Sequence, residues 1–185
     1  MYKLPYSFFF SNHLTYDLLA KYHLKNFYQI PRLESIILSL NFNPQNTKQI
    51  LHSLLFLEII SLEKPFLIIA GKTKNTLKLK LKIKEGSILG CKVILKKLTL
   101  EVFLSNFIIE ILPNYLMKLK KTKSQNLLKP TNTFNIVLKD LKLFLPYSLF
   151  YKQFEHLNLL TITFLFNKPL PLYFLKSLFL IPSKF

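Results

Sequence analysis

The sequence predicts an α+β domain with a mostly antiparallel sheet and helices packed on one face. Stretches in which apolar and polar residues alternate are interleaved with stretches in which apolar residues recur at helical spacing. Half of the 185 residues are hydrophobic and 15% are aromatic, which is enough to build a core. We expect one domain over residues 1–185, with residues 1–12 as an N-terminal extension.

The first third of the chain predicts a helix, a strand and a second helix. Residues 11–27 carry leucines at helical spacing, and Pro31 follows them. Residues 33–40 alternate as a strand does, and Asn43-Pro44 is typical of a helix start. The second helix runs to about Ser61 and its apolar stripe contains Ile50, Leu51, Leu54 and Leu57.

The middle third predicts strands joined by turns. Residues 66–70 are a short apolar strand, and residues 76–84 alternate Leu or Ile with Lys without a fault. Residues 88–95 return as a partner strand. Gly86 permits the turn between them, and Gly90 permits another backbone to approach closely.

The last third predicts one helix and then further strands. The helix is capped by Thr99 and ends at Pro113, and a lysine-rich surface loop covers residues 114–132. Strands are predicted at residues 133–138, 141–145 and 159–166 and a short helix at residues 172–178, whereas residues 147–158 fit no single element.

The charge balance points to a polyanionic partner. Lys and Arg number 26 against 9 Asp and Glu, a formal net charge of +17, and Arg32 is the only arginine. Self-repulsion at this level opposes compaction unless a polyanion neutralises it. Nucleic acid is favoured over an anionic membrane surface. The sequence has no run of about 20 apolar residues that would span a bilayer.

The lysines are concentrated in two places. Alternate strand residues lie about 6.6 Å apart, so Lys78, Lys80, Lys82 and Lys84 would form a ladder about 20 Å long that can follow a phosphate backbone. A merely solvated outer face is an equally good interpretation of that one strand. The surrounding lysines favour a binding surface: Lys72, Lys74, Lys92, Lys96 and Lys97 near the strand, and Lys118, Lys120, Lys121 and Lys123 on the predicted loop.

No catalytic site, metal site or cofactor site is predicted. The four histidines have no metal-ligand spacing, the acids are dispersed, and three glycines cannot build a phosphate-binding loop. Cys91, the only cysteine, is interpreted as a small core residue. We therefore expect a protein that is not an enzyme.

A central block of the sequence resembles a known family. Residues 82–95 (KIKEGSILGCKVIL) are similar to the signature of the bacterial-type large-subunit ribosomal protein L-five family: a basic strand, a glycine turn and Gly-Cys-Lys-Val. Residues 63–65 resemble the family's Gln-Lys-Pro, and residues 29–34 its Gln-Val-Pro-Arg-Val-Glu. Weaker short matches to the family occur in the same order along the rest of the chain. The resemblance therefore covers about residues 15–185. The family's Asn-Met-Gly is replaced by Ser39-Leu40-Asn41.

The resemblance implies an L-five-like fold and a structural role in the central protuberance of the large subunit. It implies binding to large-subunit rRNA, to 5S rRNA where one is present, to P-site tRNA, to small-subunit head protein S-thirteen and to other central-protuberance proteins. Together with the charge pattern it predicts rRNA contacts by Arg32, Lys64, Lys78, Lys80, Lys82, Lys84, Lys92, Lys118, Lys120, Lys121 and Lys123. The loop facing tRNA is expected to contain Lys72, Thr73, Lys74 and Asn75.

The expected compartment is the mitochondrion. Residues with GC-rich codons are scarce, as in AT-rich organelle genomes, and no Arg precedes Arg32 where an imported presequence would carry several. We expect an organelle-encoded protein of the mitochondrial ribosome. One alternative is a peripheral membrane protein, which would show an amphipathic basic helix. Another is an RNA-modifying enzyme, which would need a catalytic cluster.

Overall fold

Five antiparallel strands form one sheet in the computed structural model, which describes residues 16, 19–20, 23, 26–41, 47–71, 85–119, 131–139, 141, 144, 154, 157 and 159–170. The strands are β1 (Leu33–Asn41), β2 (Phe66–Ile69), β3 (Ile88–Leu95), β4 (Thr131–Leu138) and β5 (Leu160–Leu170). Their order across the sheet is β2-β3-β1-β5-β4, and every neighbouring pair is antiparallel. The first strand of the sequence is therefore the central strand of the sheet.

The cross-strand register collects the apolar residues on one face. Leu38 of β1 lies between Val93 of β3 and Ile162 of β5, and all three are fully buried. The rows on either side repeat this arrangement because side chains two residues apart on a strand share a face. Those rows are Leu95–Ile36–Phe164 and Cys91–Leu40–Leu160.

The helices pack on that same face. They are α1 (Thr47–Ser61), α2 (Lys97–Asn106) and α3 (Leu112–Leu119), with the π-helical turn Phe107–Ile111 joining α2 to α3. Phe56 of α1 and Phe107 of the π turn are buried, and the Phe107 ring lies 5.8 Å from that of Phe164. Burying one such side chain is worth about 1.5–3 kcal/mol, so this layer contributes much of the stabilisation. The predicted α+β class with helices on one face is confirmed.

The glycines of the β2–β3 region behave as the sequence predicts. Gly86 has φ +77°, in the left-handed region that other residues enter at a cost. Gly90 packs against β1, where an added Cβ would lie 2.5 Å from the backbone oxygen of Leu40. The predicted strands at 33–40, 66–70 and 88–95 are confirmed with ends within one residue.

The prediction that a helix ends at Pro113 is wrong. The helical chain passes through Pro113 and continues to Leu119. Proline cannot donate a backbone hydrogen bond, and its ring clashes with the carbonyl four residues earlier. The π turn accommodates it: the Leu112 N–H donates to Phe107 O, five residues back, and the Asn114 side-chain amide donates to Glu110 O at 2.9 Å.

Thr99 is not the cap of this helix. The helix begins at Lys97, and Lys96 in the cap position has no capping side-chain hydrogen bond. The Thr99 hydroxyl instead lies 2.6 Å from Glu63 Oε1 and 2.9 Å from Lys96 O. It therefore ties the start of α2 to the turn after α1.

The boundaries after α2 also differ from the prediction. The predicted loop at 114–132 is helical up to Leu119, and β4 begins at Thr131. The strand predicted at 141–145 is wrong at its described positions, because Phe144 N–H donates to Leu141 O in a turn. Both side chains are nevertheless buried, so burial and not strand pairing explains their apolar character. Phe154 is helical within the unassigned stretch 147–158, and β5 runs on to Leu170.

The predicted first helix is only partly described. Tyr16, Leu19 and Ala20 are helical, and Phe27–Gln29 is a 3-10 turn at its predicted end. The strand predicted at 76–84, the start of the second helix at 43–46 and the helix predicted at 172–178 lie outside the described residues.

Candidate nucleic-acid interface

The second face of the sheet consists of exposed and half-buried side chains, apart from Ser35, which is buried. Its longest row crosses all five strands through Phe66, Lys92, Ser39, Thr161 and Val137. The next row contains Ile94, Ile37, Thr163 and Asn135, and the third contains Ser35, Leu165 and Thr133. We call these three rows the open face.

The open face mixes polar and apolar side chains and carries little charge. Lys92 is its single cation and half-buried, and no paired residue of the three rows is acidic. Its accessible hydroxyl and amide groups come from three adjacent strands and belong to Ser39, Thr161, Thr163, Asn135 and Thr133, whereas Ser35 is buried. Such a surface can approach an anionic chain without repulsion from carboxylates, and it offers hydrogen bonds that do not depend on charge.

The dimensions of the open face suit an RNA helix. Neighbouring strands are about 4.8 Å apart, so a row across five strands spans about 19 Å. The minor groove of A-form RNA is wide and shallow and displays ribose 2′-hydroxyls, which short Ser, Thr and Asn side chains can reach. Lysines around the edge can neutralise the flanking phosphates.

Three predicted rRNA-contact lysines or arginines have described side chains. Lys92 lies on the open face between Phe66 and Ser39, and Arg32 and Lys64 are exposed. Arg32 directly precedes β1 and Lys64 precedes β2, so both lie toward the end of the sheet at which β1 begins. The structure therefore brings Arg32 and Lys64 toward one end of the sheet, although the sequence separates them, whereas Lys92 pairs with Ser39 further along β1.

Lys118, a fourth predicted rRNA contact, lies in a different secondary-structure element from the one expected. Lys118 belongs to α3 and not to a surface loop, because the helix continues through Pro113. Lys120, Lys121 and Lys123 lie outside the described residues.

The predicted lysine ladder belongs to the segment between β2 and β3. Ala70 N–H donates to Ser87 O at 2.9 Å and Gly86 N–H donates to Ala70 O at 3.0 Å. The segment therefore leaves and rejoins the sheet at one point, at the end opposite to Arg32. Lys72, Thr73, Lys74, Asn75, Lys78, Lys80, Lys82 and Lys84 are outside the described residues.

The single cysteine belongs to the hydrophobic core. Cys91 is buried in the core, and burial raises the pKa of its thiol, partly offset by a hydrogen bond with Ser53. The part of the chain that the structure describes contains no group of three or more His, Cys, Asp or Glu that could hold a metal ion. Among the described helices, none combines the length and apolarity needed to cross a bilayer.

The sequence-based prediction missed the open-face hydroxyls and amide. Thr161 and Thr163 alternate with Ile162 and Phe164 in β5, and Asn135 alternates with Ile136 in β4. This alternation was a sufficient signal for a two-faced strand. The contribution of each strand to one shared surface depends on the register of β1, β4 and β5, which no local pattern specifies.

Comparison with known proteins gives a similarity to a curated ribosomal protein, whereas no protein-family model matches the chain. The chain is 30% identical over 91 residues to the large ribosomal subunit protein uL5 of Blochmanniella floridana. This similarity supports a relationship to uL5. It covers 48% of this chain and 46% of the bacterial protein, so the chain matches about half the length of this curated relative. The antiparallel α+β fold is consistent with that relationship.

Proposed function

We propose that this protein is a structural, non-enzymatic constituent of the large ribosomal subunit and binds rRNA through the open face and the cations around it. The observation that carries this proposal is the 30% identity to uL5 over 91 residues. The net charge of +17 supports it independently, because a polyanion is needed to neutralise such a surface.

The open face would bind an RNA helix mainly by shape. Ser39, Thr161 and Thr163 would approach ribose hydroxyls in a shallow groove, and Lys92 would neutralise one phosphate. Arg32 and Lys64 would contact phosphates beside the open face. Arginine can bind a phosphate through two parallel hydrogen bonds, whereas lysine acts as a point charge.

The segment between β2 and β3 would make a separate set of contacts. We propose that Lys78, Lys80, Lys82 and Lys84 contact rRNA phosphates and that Lys72, Thr73, Lys74 and Asn75 face tRNA. Support comes from the alternating sequence and from the hydrogen bonds of Ala70, which fix both ends of the segment at one corner of the sheet. Lys118, Lys120, Lys121 and Lys123 would add phosphate contacts elsewhere.

The finer assignments are also proposals. The resemblance in residues 82–95 supports a place in the central protuberance, with 5S rRNA where present, P-site tRNA, protein S-thirteen of the small-subunit head and neighbouring ribosomal proteins as partners. The AT-type composition supports a mitochondrial, organelle-encoded protein. We also propose that the chain folds as one domain over residues 1–185, with residues 1–12 as an extension.

A salt titration tests RNA binding directly. The full chain is titrated with a transcript of large-subunit rRNA and, separately, with vesicles of anionic lipid. If the protein makes 6–10 phosphate contacts, its affinity for RNA should fall by about 10³–10⁵ between 50 and 200 mM salt. A flat salt response with RNA, or tighter binding to vesicles than to RNA, would overturn the proposal in favour of a membrane-surface protein.

A further inference from the structure

We propose that Tyr28, Arg32 and Lys168 form a site for an unpaired nucleotide, with its base stacked on the Tyr28 ring and its phosphates held by Arg32 and Lys168. The site lies where β1 begins and β5 ends. It rests on the proposed RNA binding and adds a single-stranded element to the RNA that this protein recognises.

Tyr28 presents its ring to solvent from an anchored backbone. The side chain is 85% exposed and stands in the 3-10 turn Phe27–Gln29. Gln29 N–H donates to Asn26 O at 3.0 Å, and Ile30, two residues on, is 2% exposed in the core. A large ring held in water on a fixed turn contributes little to folding. It suits stacking, because every base offers a flat aromatic face whatever its identity.

The Lys168 ammonium group lies directly beside Tyr28. Its Nζ donates a hydrogen bond to the Tyr28 carbonyl oxygen, although 140 residues separate the two. An ammonium group has three donors, so this bond leaves two for a phosphate. The contact holds the charge next to the backbone of the residue that carries the ring.

Arg32 completes the site from the β1 side. Its side chain is exposed, and its backbone is held by Asn167 in both directions. Arg32 N–H donates to Asn167 Oδ1 at 2.8 Å, and Asn167 N–H donates to Arg32 O at 3.1 Å. Because Asn167 and Lys168 are consecutive, these contacts bring the backbone of Arg32 and the backbone of Tyr28 to the same end of β5. The site thus offers an exposed ring, an ammonium group bound to the backbone of that residue, and an exposed arginine further along the chain. These suit the two parts of a nucleotide, a flat base and an anionic phosphate.

The ligand should be unpaired RNA and not a duplex or an acidic polypeptide. In a double helix both faces of each internal base are covered by neighbouring bases, so a protein ring has no free base face to stack on. An acidic peptide would satisfy the two cations but leave the exposed ring without a partner. The ring therefore distinguishes these ligands.

The absence of tryptophan from the sequence gives a direct probe. In Tyr28→Trp the only indole of the protein stands at the proposed stacking position. Leu51→Trp is the matched control, because Leu51 is 66% exposed on α1, in the helical layer. Titration with an unstructured oligoribonucleotide of about ten nucleotides should quench the fluorescence of Tyr28→Trp saturably and that of Leu51→Trp much less.

Affinity measurements separate stacking from charge. Tyr28→Ala should weaken binding of the oligoribonucleotide by about 5- to 150-fold, whereas Tyr28→Phe should bind nearly as the wild type does. Arg32→Ala and Lys168→Met should each reduce the slope of log affinity against log salt by about one.

Three results would overturn the site: equal affinities of Tyr28→Ala and wild type, equal quenching of the two tryptophan variants, or equal quenching of Tyr28→Trp by polyglutamate and by RNA. Any of them, with salt-dependent rRNA binding intact, would leave the proposed function standing. Loss of all rRNA binding by the wild-type chain would overturn the proposed function itself.

Discussion

The backbone oxygen of Leu40 occupies the space beside Gly90, where an added Cβ would lie only 2.5 Å away. Gly90→Ala should therefore push β3 away from the central strand at the row containing Asn41. We expect a loss of about 1–3 kcal/mol in the free energy of unfolding, the usual cost of overpacking. Urea unfolding of the full chain measures it.

Gly71→Ala is the matched control, because an added Cβ there meets no atom within 4 Å. Its free energy of unfolding should change by less than about 0.5 kcal/mol. Equal destabilisation by both substitutions would contradict the close approach of β1 and β3.

Cys91 should be protected from alkylation in the folded protein. Its side chain is fully buried and burial raises the pKa of the thiol, so both access and thiolate formation are disfavoured. Iodoacetamide at pH 8 should label the native chain far more slowly than the chain in denaturant. Similar rates in the two states would show that β3 does not pack into the core.

The same thiol makes stability depend on pH in the alkaline range. The folded state keeps its proton to a higher pH than the unfolded state, so burial of the neutral thiol stabilises fully below the ordinary thiol pKa. As pH rises above that value, the unfolded chain loses its proton first and the free energy of unfolding declines. Cys91→Ala should remove this part of the pH dependence.

The open face should show two separable effects on rRNA binding. Lys92→Ala should lower the affinity and reduce the salt slope by about one, because it removes one phosphate contact. Thr163→Val should lower the affinity without changing that slope, because the lost hydroxyl carries no charge. Filter binding over a range of salt concentrations measures both quantities.

Two substitutions in the helical layer serve as controls for the open face. Lys48→Ala removes an exposed lysine of α1, and Ser105→Ala removes a hydroxyl of α2 that donates to Val102 O at 2.8 Å. Both should bind rRNA as the wild type does. If Lys48→Ala changed the salt slope as much as Lys92→Ala, RNA would not be docked on the open face.

The segment between β2 and β3 should divide into two functions. Replacing Lys78, Lys80, Lys82 and Lys84 together by Ala should reduce the salt slope by up to about four and weaken binding to any RNA sequence. Replacing Lys72 and Lys74 should leave incorporation into the subunit intact and impair translation. Unchanged rRNA binding by the fourfold variant would place the ladder outside the interface.

Much of the fold could be predicted because its local patterns agree with the final packing. The alternation in β1 and β3 continues in the folded rows, so those strands were confirmed nearly to the residue. The predicted helix end at Pro113 was wrong. Proline usually ends a helix, but here the buried Phe107 and Ile111 stabilise the π turn that accommodates it. The local sequence shows that a proline tends to end a helix. It does not show the tertiary packing that allows the helix to continue through Pro113.

The candidate site could be predicted only in its charged part. Lysines such as Lys92 are visible in sequence because charge is a property of single residues. The open face is not visible in that way, because Ser39, Thr161 and Asn135 become neighbours only through the pairing of β1, β5 and β4. Likewise Tyr28 and Lys168 meet only because β5 ends beside the start of β1.

Sedimentation of a lysate of the source cells on a sucrose gradient, with the protein detected in each fraction, tests the central proposal most directly. The protein should co-sediment with the large ribosomal subunit at low salt and shift to the top of the gradient after RNase digestion. Sedimentation with membrane vesicles, or an unchanged position after RNase treatment, would contradict a structural role in the large subunit.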